Sequence, residues 1–214
     1  MIEVILPVLD EVQAIPGVLA AMPDGFTPLV VDNGSVDGSG ALARRLGAKV
    51  VDQAQRGFGA ACFAGLQAAG SEVVCFMDCD GSLDPQELPR VTGPVVRGEA
   101  KLCLGARSAA PGAWPWHARA ANRCVAFELR RRCGVQLTDL GPMRAARREA
   151  LLELELRDRG FGWPLEMVLS AAARSWSVTE VPVSYRVRDG GRSKVSGSMT
   201  GTWRAVRDMS TLLA

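Results

Sequence analysis

Residues 73–84 read VVCFMDCDGSLD, an apolar run that ends on Asp78 and Asp80, two positions apart, before a glycine turn. Side chains at i and i+2 of an extended chain project to the same side. Two carboxylates held that close repel one another unless a cation stands between them. The pair is therefore either a divalent-cation site or a polar turn of the kind that Asp and Gly make at strand ends. The single histidine, His117, sits in the Trp-rich loop SAAPGAWPWH, which argues against His-based triads and His-rich metal centres. Any ion here is then expected to be a hard cation on oxygen ligands, Mg2+ or Mn2+.

Two further segments have residue types suited to ligand chemistry. VVDNGSVDGS places Asp32 at a strand end and Asp37 at a helix start. Asp37 suits an N-cap and Asn33-Gly34 a turn, whereas Asp32 also suits an acceptor for a base N–H or a ribose hydroxyl. RGFGAACFAG has glycines at 57, 59 and 65, with Cys62 where a GxGxxG fingerprint needs its third glycine. The polar run VVDQAQR also separates it from the preceding strand, so a nicotinamide enzyme stays open only as an alternative. No GxxxxGK[ST] occurs, which argues against a P-loop NTPase.

The elements that position these residues alternate along the first hundred positions. EVILPV, TPLVVD, AKVVD, VVCFMD and KLCLGA read as strands. Helices are expected over 11–22, 38–46 and 57–69, and another starts at Asp84-Pro85-Gln86-Glu87. Continuous apolar strands alternating with helices predict a mostly parallel sheet buried on both faces, with ligands at the carboxyl ends of its strands. Asp10-Glu11, Asp32 and Asp78-Cys79-Asp80 all fall at such ends. Past residue 106 the pattern loosens. Helices are expected near 118–133 and 147–156 and opening at GFGWPLEM, a strand at VTEVPVSYR, a flexible basic loop at RDGGRSKVSGSMTG and a terminal amphipathic helix at TWRAVRDMSTLLA.

With 214 residues, 48% hydrophobic and 22% charged, the chain has the size and composition of one folded domain. It shows no apolar run long enough to cross a bilayer and no secretory signal. The six cysteines form no CxxC pair and suit small buried hydrophobes in a reducing, cytoplasmic setting. Residues 1–100 carry 6 Lys/Arg against 13 Asp/Glu, and residues 101–214 carry 19 against 10. An acidic half beside a basic half suits a cation together with an anionic ligand. Without an aromatic-interleaved basic stripe, nucleic acid is not expected as a partner.

The blocks PVLDE, VVDNGSVDGS, RGFGAACFAG, MDCDGSLDP, TDLGPMRA, GFGWPLEM, EVPVSYR and GGRSKVSG, in this order over nearly the whole chain, resemble the inverting family 2 glycosyltransferases. The branch most resembled contains the dolichyl-phosphate mannosyltransferases and bacterial polyprenyl-phosphate glycosyltransferases. The resemblance implies a single α/β GT-A domain over 1–214, with a nucleotide-binding half (1–105), an acceptor and catalytic half (106–200) and a C-terminal helix (201–214). It implies that Pro7, Asp10 and Glu11 line the base and ribose, where the family usually has Asn-Glu, and that Asp32, with Asp37 nearby, reads the base. Arg56, Gly57 and Gly59 match a nucleoside-holding loop that normally begins with Lys. Asp78 and Asp80 match the DxD motif, whose second acid ligates Mg2+ or Mn2+ on the diphosphate. Asp139 falls near the sugar and acceptor, Glu166 on a candidate base, and Arg192, Ser193 and Lys194 on a mobile loop over the diphosphate.

The implied reaction moves a sugar from a nucleotide-diphosphate donor, UDP-sugar first and GDP-mannose second, to a polyprenyl phosphate or a small-molecule hydroxyl. A neutral hydroxyl needs a general base and a lipid phosphate does not. The terminal helix is expected on a membrane surface, against the core or in a homodimer contact. Two rivals stay open: a nucleotidyltransferase acting on a sugar phosphate, whose Gly-rich basic loop is not seen after the first strand, and a non-catalytic homologue that binds nucleotide sugar.

Overall fold

The computed structural model describes residues 1–190; Arg192, Ser193, Lys194 and the expected C-terminal helix lie outside the described residues. Strands β1 (Ile2–Val8), β2 (Phe26–Asp32), β3 (Lys49–Asp52) and β4 (Val73–Phe76) pair in parallel. Helices α1 (Ile15–Ala20), α2 (Ser39–Arg45) and α3 (Phe58–Ala68) connect them. Every residue of β4 is buried, because each face of the sheet carries its own apolar layer. The run of small residues in α3 has a packing cause. A Cβ on Gly65 would press on Ile5 of β1 and lie 3.0 Å from Val31 Cγ2 of β2, so only glycine lets the helix lie this close to the sheet.

After β4 the chain makes a 3-10 turn (Pro85–Glu87) and α4 (Leu88–Val96), then β5 (Leu102–Ala109), α5 (Trp116–Cys133), β6 (Met143–Arg147), α6 (Arg148–Glu153), α7 (Trp163–Ala173) and β7 (Val178–Tyr185). The seven strands lie in the order β3-β2-β1-β4-β6-β5-β7. β6 runs antiparallel between β4 and β5, while β7 pairs in parallel with β5 at the edge. One sheet thus takes strands from both sides of residue 105.

Several elements differ from the sequence reading. The first helix begins only at Ile15, because residues 11–14 form a turn and Pro16 stands in the first helical turn. Strand β4 ends at Phe76, so Asp78 and Asp80 stand on the loop beyond it. Asp84 accepts from Gln86 N and caps the 3-10 turn rather than α4 itself. TDLGPMRA holds a strand: MRAAR lacks the β-branched run that marks one, yet its first four residues are buried between two neighbours. Because β6 is reversed, its leading segment 138–142 arrives at the same edge as the carboxyl ends of β1, β2, β4, β5 and β7.

Candidate active site

The crevice at that edge has two walls. The first is built from the loops after β1 and β2. Asp10, held at φ 54°, accepts from Val36 N through Oδ1 and donates its own N–H to Ser35 Oγ. Glu11 N donates to Ser39 Oγ and Val12 N to Asp37 Oδ2. The other oxygen of Asp37 accepts from Ser39 N and Oγ, which holds its carboxyl below the usual carboxylate value although burial opposes this. The N-cap of α2 is Gly38, not Asp37; Asp37 instead ties the two loops together. Asp32 accepts from Ser35 N at 2.8 Å, and its carboxylate lies against Gly40, where a Cβ has no room. Pro7, paired with Val31, is half-buried on the last turn of β1.

Asn33, read from sequence as half of a turn, is 4% exposed and knits this wall. Its Nδ2 donates to Gln53 O and Gln55 O, while its Oδ1 accepts from Gly57 N at 2.8 Å. Arg56 is exposed and lies over Gly34. Gly59 N and Ala60 N donate to Gly160 O and Arg159 O. Those amides are spent on protein carbonyls and form no phosphate cradle, which removes the physical basis of the dinucleotide alternative. Both glycines are required by contact. A Cβ at Gly57 would strike Arg159 O, and one at Gly59 would sit 2.6 Å from Asp158 O. Glu166, in the first turn of α7, accepts from Arg157 N and Asp158 N at 2.8–3.1 Å. It fastens the 157–160 segment that in turn holds the glycine loop.

The second wall gathers charge. Asp80 accepts from Ser82 N and Oγ through Oδ1, and its Oδ2 faces Arg188 Nη2 at 3.4 Å. Arg188 also donates to Glu11 Oε1 at 2.7 Å. It is placed there because β7 continues past the sheet, with Arg186 N donating to Ser82 O and Asp189 N to Asp80 O. Burial first and Asp80 second push the Asp78 carboxyl up to about 7, against the opposing pull of Arg144, Arg107 and Arg188. Arg144 on β6 is 2% exposed, flanked by Phe76 and Leu104, and donates to Leu140 O. Burial lowers its pKa to about 10, still charged at neutral pH. Nε of Arg144 and Nε of Arg188 are buried with no hydrogen-bond partner among the described residues.

Asp139, 3% exposed, forms a bidentate pair with Arg107: Oδ2 accepts from Arg107 N and Nε, and Oδ1 from Nη2 at 2.7 Å. Arg107 in turn stacks on Trp114 at 3.8 Å. The segment carrying Asp139 is held by Glu180 of β7, which accepts from Thr138 N and Oγ1, and by Asn122 of α5. Arg107, Arg144, Arg188 and Glu180 were missed from sequence. Arg144 sits in a strand that had no strand signature, and the others come together only through β6 and β7. Acids read separately as nucleotide contacts, metal ligands and bases are thus gathered at one edge, but with different degrees of internal engagement.

Residues 3–154 match the sequence profile described as glycosyl transferase family 2. The chain belongs to that family. Among relatives of this family 2 glycosyltransferase, an uncharacterized glycosyltransferase of Mycobacterium tuberculosis H37Rv is 45% identical over 208 residues, covering 97% of this chain and 95% of the relative. The polyprenol monophosphomannose synthase of Mycolicibacterium smegmatis is 33% identical, covering 91% and 81%. Among solved structures, the Mycobacterium tuberculosis glucosyl-3-phosphoglycerate synthase in complex with Mn2+ and uridine-diphosphate-glucose superposes with a TM-score of 0.78 at 24% identity, covering 100% of this chain and 78% of that one. The glycosyltransferase described here shares that protein's fold. No helix among its described residues is long and apolar enough to cross a membrane.

Proposed function

We propose that this glycosyltransferase moves a hexose, with inversion, from a nucleoside-diphosphate donor to the phosphate of a polyprenyl phosphate. The observation that carries the choice of acceptor is the state of the two candidate bases. Both oxygens of Asp139 are bound to Arg107, and both oxygens of Glu166 accept backbone N–H groups. Each of those oxygens is already engaged by a protein donor, which disfavours either carboxylate as the base for a neutral hydroxyl, whereas a phosphate acceptor is already anionic and needs none. The named activity of the Mycolicibacterium smegmatis relative supports the same choice.

The donor set suits a hard divalent ion: Asp78 and Asp80 offer oxygen, and no cluster of three metal-ligating side chains occurs among the described residues. Two protein carboxylates leave coordination positions for diphosphate oxygens. When bound, Mg2+ or Mn2+ supplies positive charge where the departing diphosphate gathers negative charge. This chain's own residues do the remaining work. Arg188 and Arg144 add fixed cations in a partly dehydrated site, the usual largest catalytic contribution. Asp32 and the glycine loop orient the nucleoside, and Arg192 and Lys194 are assigned to the diphosphate from the sequence reading.

The test is a product assay offering UDP-glucose and GDP-mannose, each with polyprenyl phosphate or with 3-phosphoglycerate, with and without Mn2+. Metal-dependent transfer to the lipid phosphate supports the proposal and names the donor. Transfer only to the soluble acceptor overturns it. Asp80→Asn should lose metal-dependent nucleotide binding while melting normally; unchanged transfer would mean that the two acids only shape a turn.

A further inference from the structure

We propose that the outer face of α5 docks on an anionic lipid bilayer. The helix is 18 residues long, yet only Ala126 and Leu129 of it are fully buried. At 100° per residue, Trp116, Ala120, Cys124 and Phe127 share the side opposite those two, with Arg131, paired to Glu128, among them. Trp116 is 80% and Phe127 64% exposed, large apolar rings that a water-facing helix has no reason to present. Arg119, Arg123 and Arg130 run along one flank of this strip, and all three are exposed. Glu128, the only acid on the helix, is engaged by Arg131 and Arg132, which holds its carboxyl down to about 2. Among the described residues, Arg119, Arg123 and Arg130 make no ion pair. Aromatic rings at headgroup depth beside unneutralised arginines form the pattern of an interfacial helix on anionic lipid.

The charge selects the occupant. A second copy of the same helix would bring arginine rows of like sign together, whereas a lipid surface complements both the rings and the cations. The placement is also apt. α5 follows the loop whose Trp114 stacks on Arg107, and its Asn122 donates to Thr138 O and accepts from Leu140 N on either side of Asp139. Asn122 lies on the inner side of α5 beside Leu129, so a bilayer on the outer side is one helix thickness from the segment that carries Asp139. The role given to this surface rests on the lipid-acceptor reading, but its binding is measured without donor or acceptor.

The full chain is co-sedimented with vesicles of phosphatidylcholine alone and with vesicles containing one-third phosphatidylglycerol, at low and high salt. Binding should require phosphatidylglycerol and weaken with salt. The Phe127→Ser/Arg123→Glu/Arg130→Glu variant should partition at least about tenfold more weakly, with an unchanged melting temperature. Arg123→Lys/Arg130→Lys, which keeps the charge, should bind like wild type. Wild type that ignores anionic vesicles overturns the proposal. So does a charge-reversed variant that binds as well as wild type, which would place the lipid contact elsewhere, residues 191–214 included. A variant whose only change is in oligomeric state would make the face an interface between copies. Transfer in detergent micelles separates the two readings. If neither protein glycosylates polyprenyl phosphate there while vesicle binding behaves as stated, the acceptor reading fails and the surface stands.

Discussion

The two walls of the crevice are built on opposite principles. On the first wall, the loop residues are consumed by the protein itself: Asn33 makes three bonds, Asp37 accepts from two segments, and the amides of Gly57, Gly59 and Ala60 all have carbonyl or amide-oxygen partners. On the second wall, Asp78 stands beside Asp80 with a raised pKa, and Arg144 and Arg188 each keep a buried Nε with no partner among the described residues. A buried polar group left unpaired costs stability. Trp163 Nε1, behind the glycine loop of the first wall, is a third such atom among the described residues, so the walls differ in charge rather than in pairing alone. The first wall fixes shape and the second holds charge in reserve. Substitutions on the first wall should therefore cost stability, whereas those on the second should cost stability where an ion pair is already complete, as at Asp139, and ligand binding where it is not.

The largest expected effect falls on the one fully paired ion couple of the charged wall. Asp139→Ala leaves the largely shielded Arg107 without its partner and should lower unfolding free energy by about 3–5 kcal/mol. Replacing both partners with apolar residues should restore much of that loss in urea titrations. If the double replacement is as damaging as the single one, the pair is not acting as a pair. Gly59→Ala comes next. Its Cβ would also meet Trp163 Cβ at 2.8 Å, and the overpacking should cost about 1–3 kcal/mol together with weaker nucleoside binding. Glu166→Ala removes the acceptor for two backbone amides and should cost about 1–3 kcal/mol. Its kcat should fall through loosening of the glycine loop, with no change in the pH profile. A stable Glu166→Ala protein with abolished transfer would return Glu166 to the role of base.

The smallest effect, and the one most specific to the charged wall, concerns Asp78. Its folded pKa of about 7 stands above the ordinary carboxylate value. Such a group favours the folded state fully below its unfolded pKa, and that stability is lost as pH rises through the folded pKa. Metal-free protein in chelator should therefore melt lower at pH 7.5 than at pH 5 by on the order of 1 kcal/mol of stability, a few degrees for this size. Asp78→Asn should flatten that slope, and saturating Mn2+ should also suppress it in wild type. A slope unchanged in Asp78→Asn would mean that the carboxylate pair is not the reserve of charge described here.

Much was legible before the fold was known. Continuous apolar runs such as VVCF can be satisfied only between two covered faces, so the parallel sheet followed from periodicity. Strand ends marked by Asp10, Asp32 and Asp78 then converged on one edge, because parallel strands end on the same side. What the sequence could not settle was which acids are free to act. Asp37, Asp139 and Glu166 look as available in the sequence as Asp78 and Asp80, and only packing shows that Asp139 is paired with Arg107, Glu166 with two backbone amides and Asp37 with Ser39 and Val12.

The cations were hidden for a related reason. Arg144 lies in MRAAR, a segment with no local preference for strand, which becomes one because β4 and β5 offer it two rows of backbone partners. Local composition thus determined the parallel part of the sheet, its face-covering helices and the acid pair at its edge, since each depends on residues near in sequence. The cationic cluster opposite that pair was decided by tertiary structure alone. It requires an antiparallel insertion and an edge strand that bring Arg107, Arg144 and Arg188 to Asp78 from distant positions, and no short-range pattern encodes that meeting.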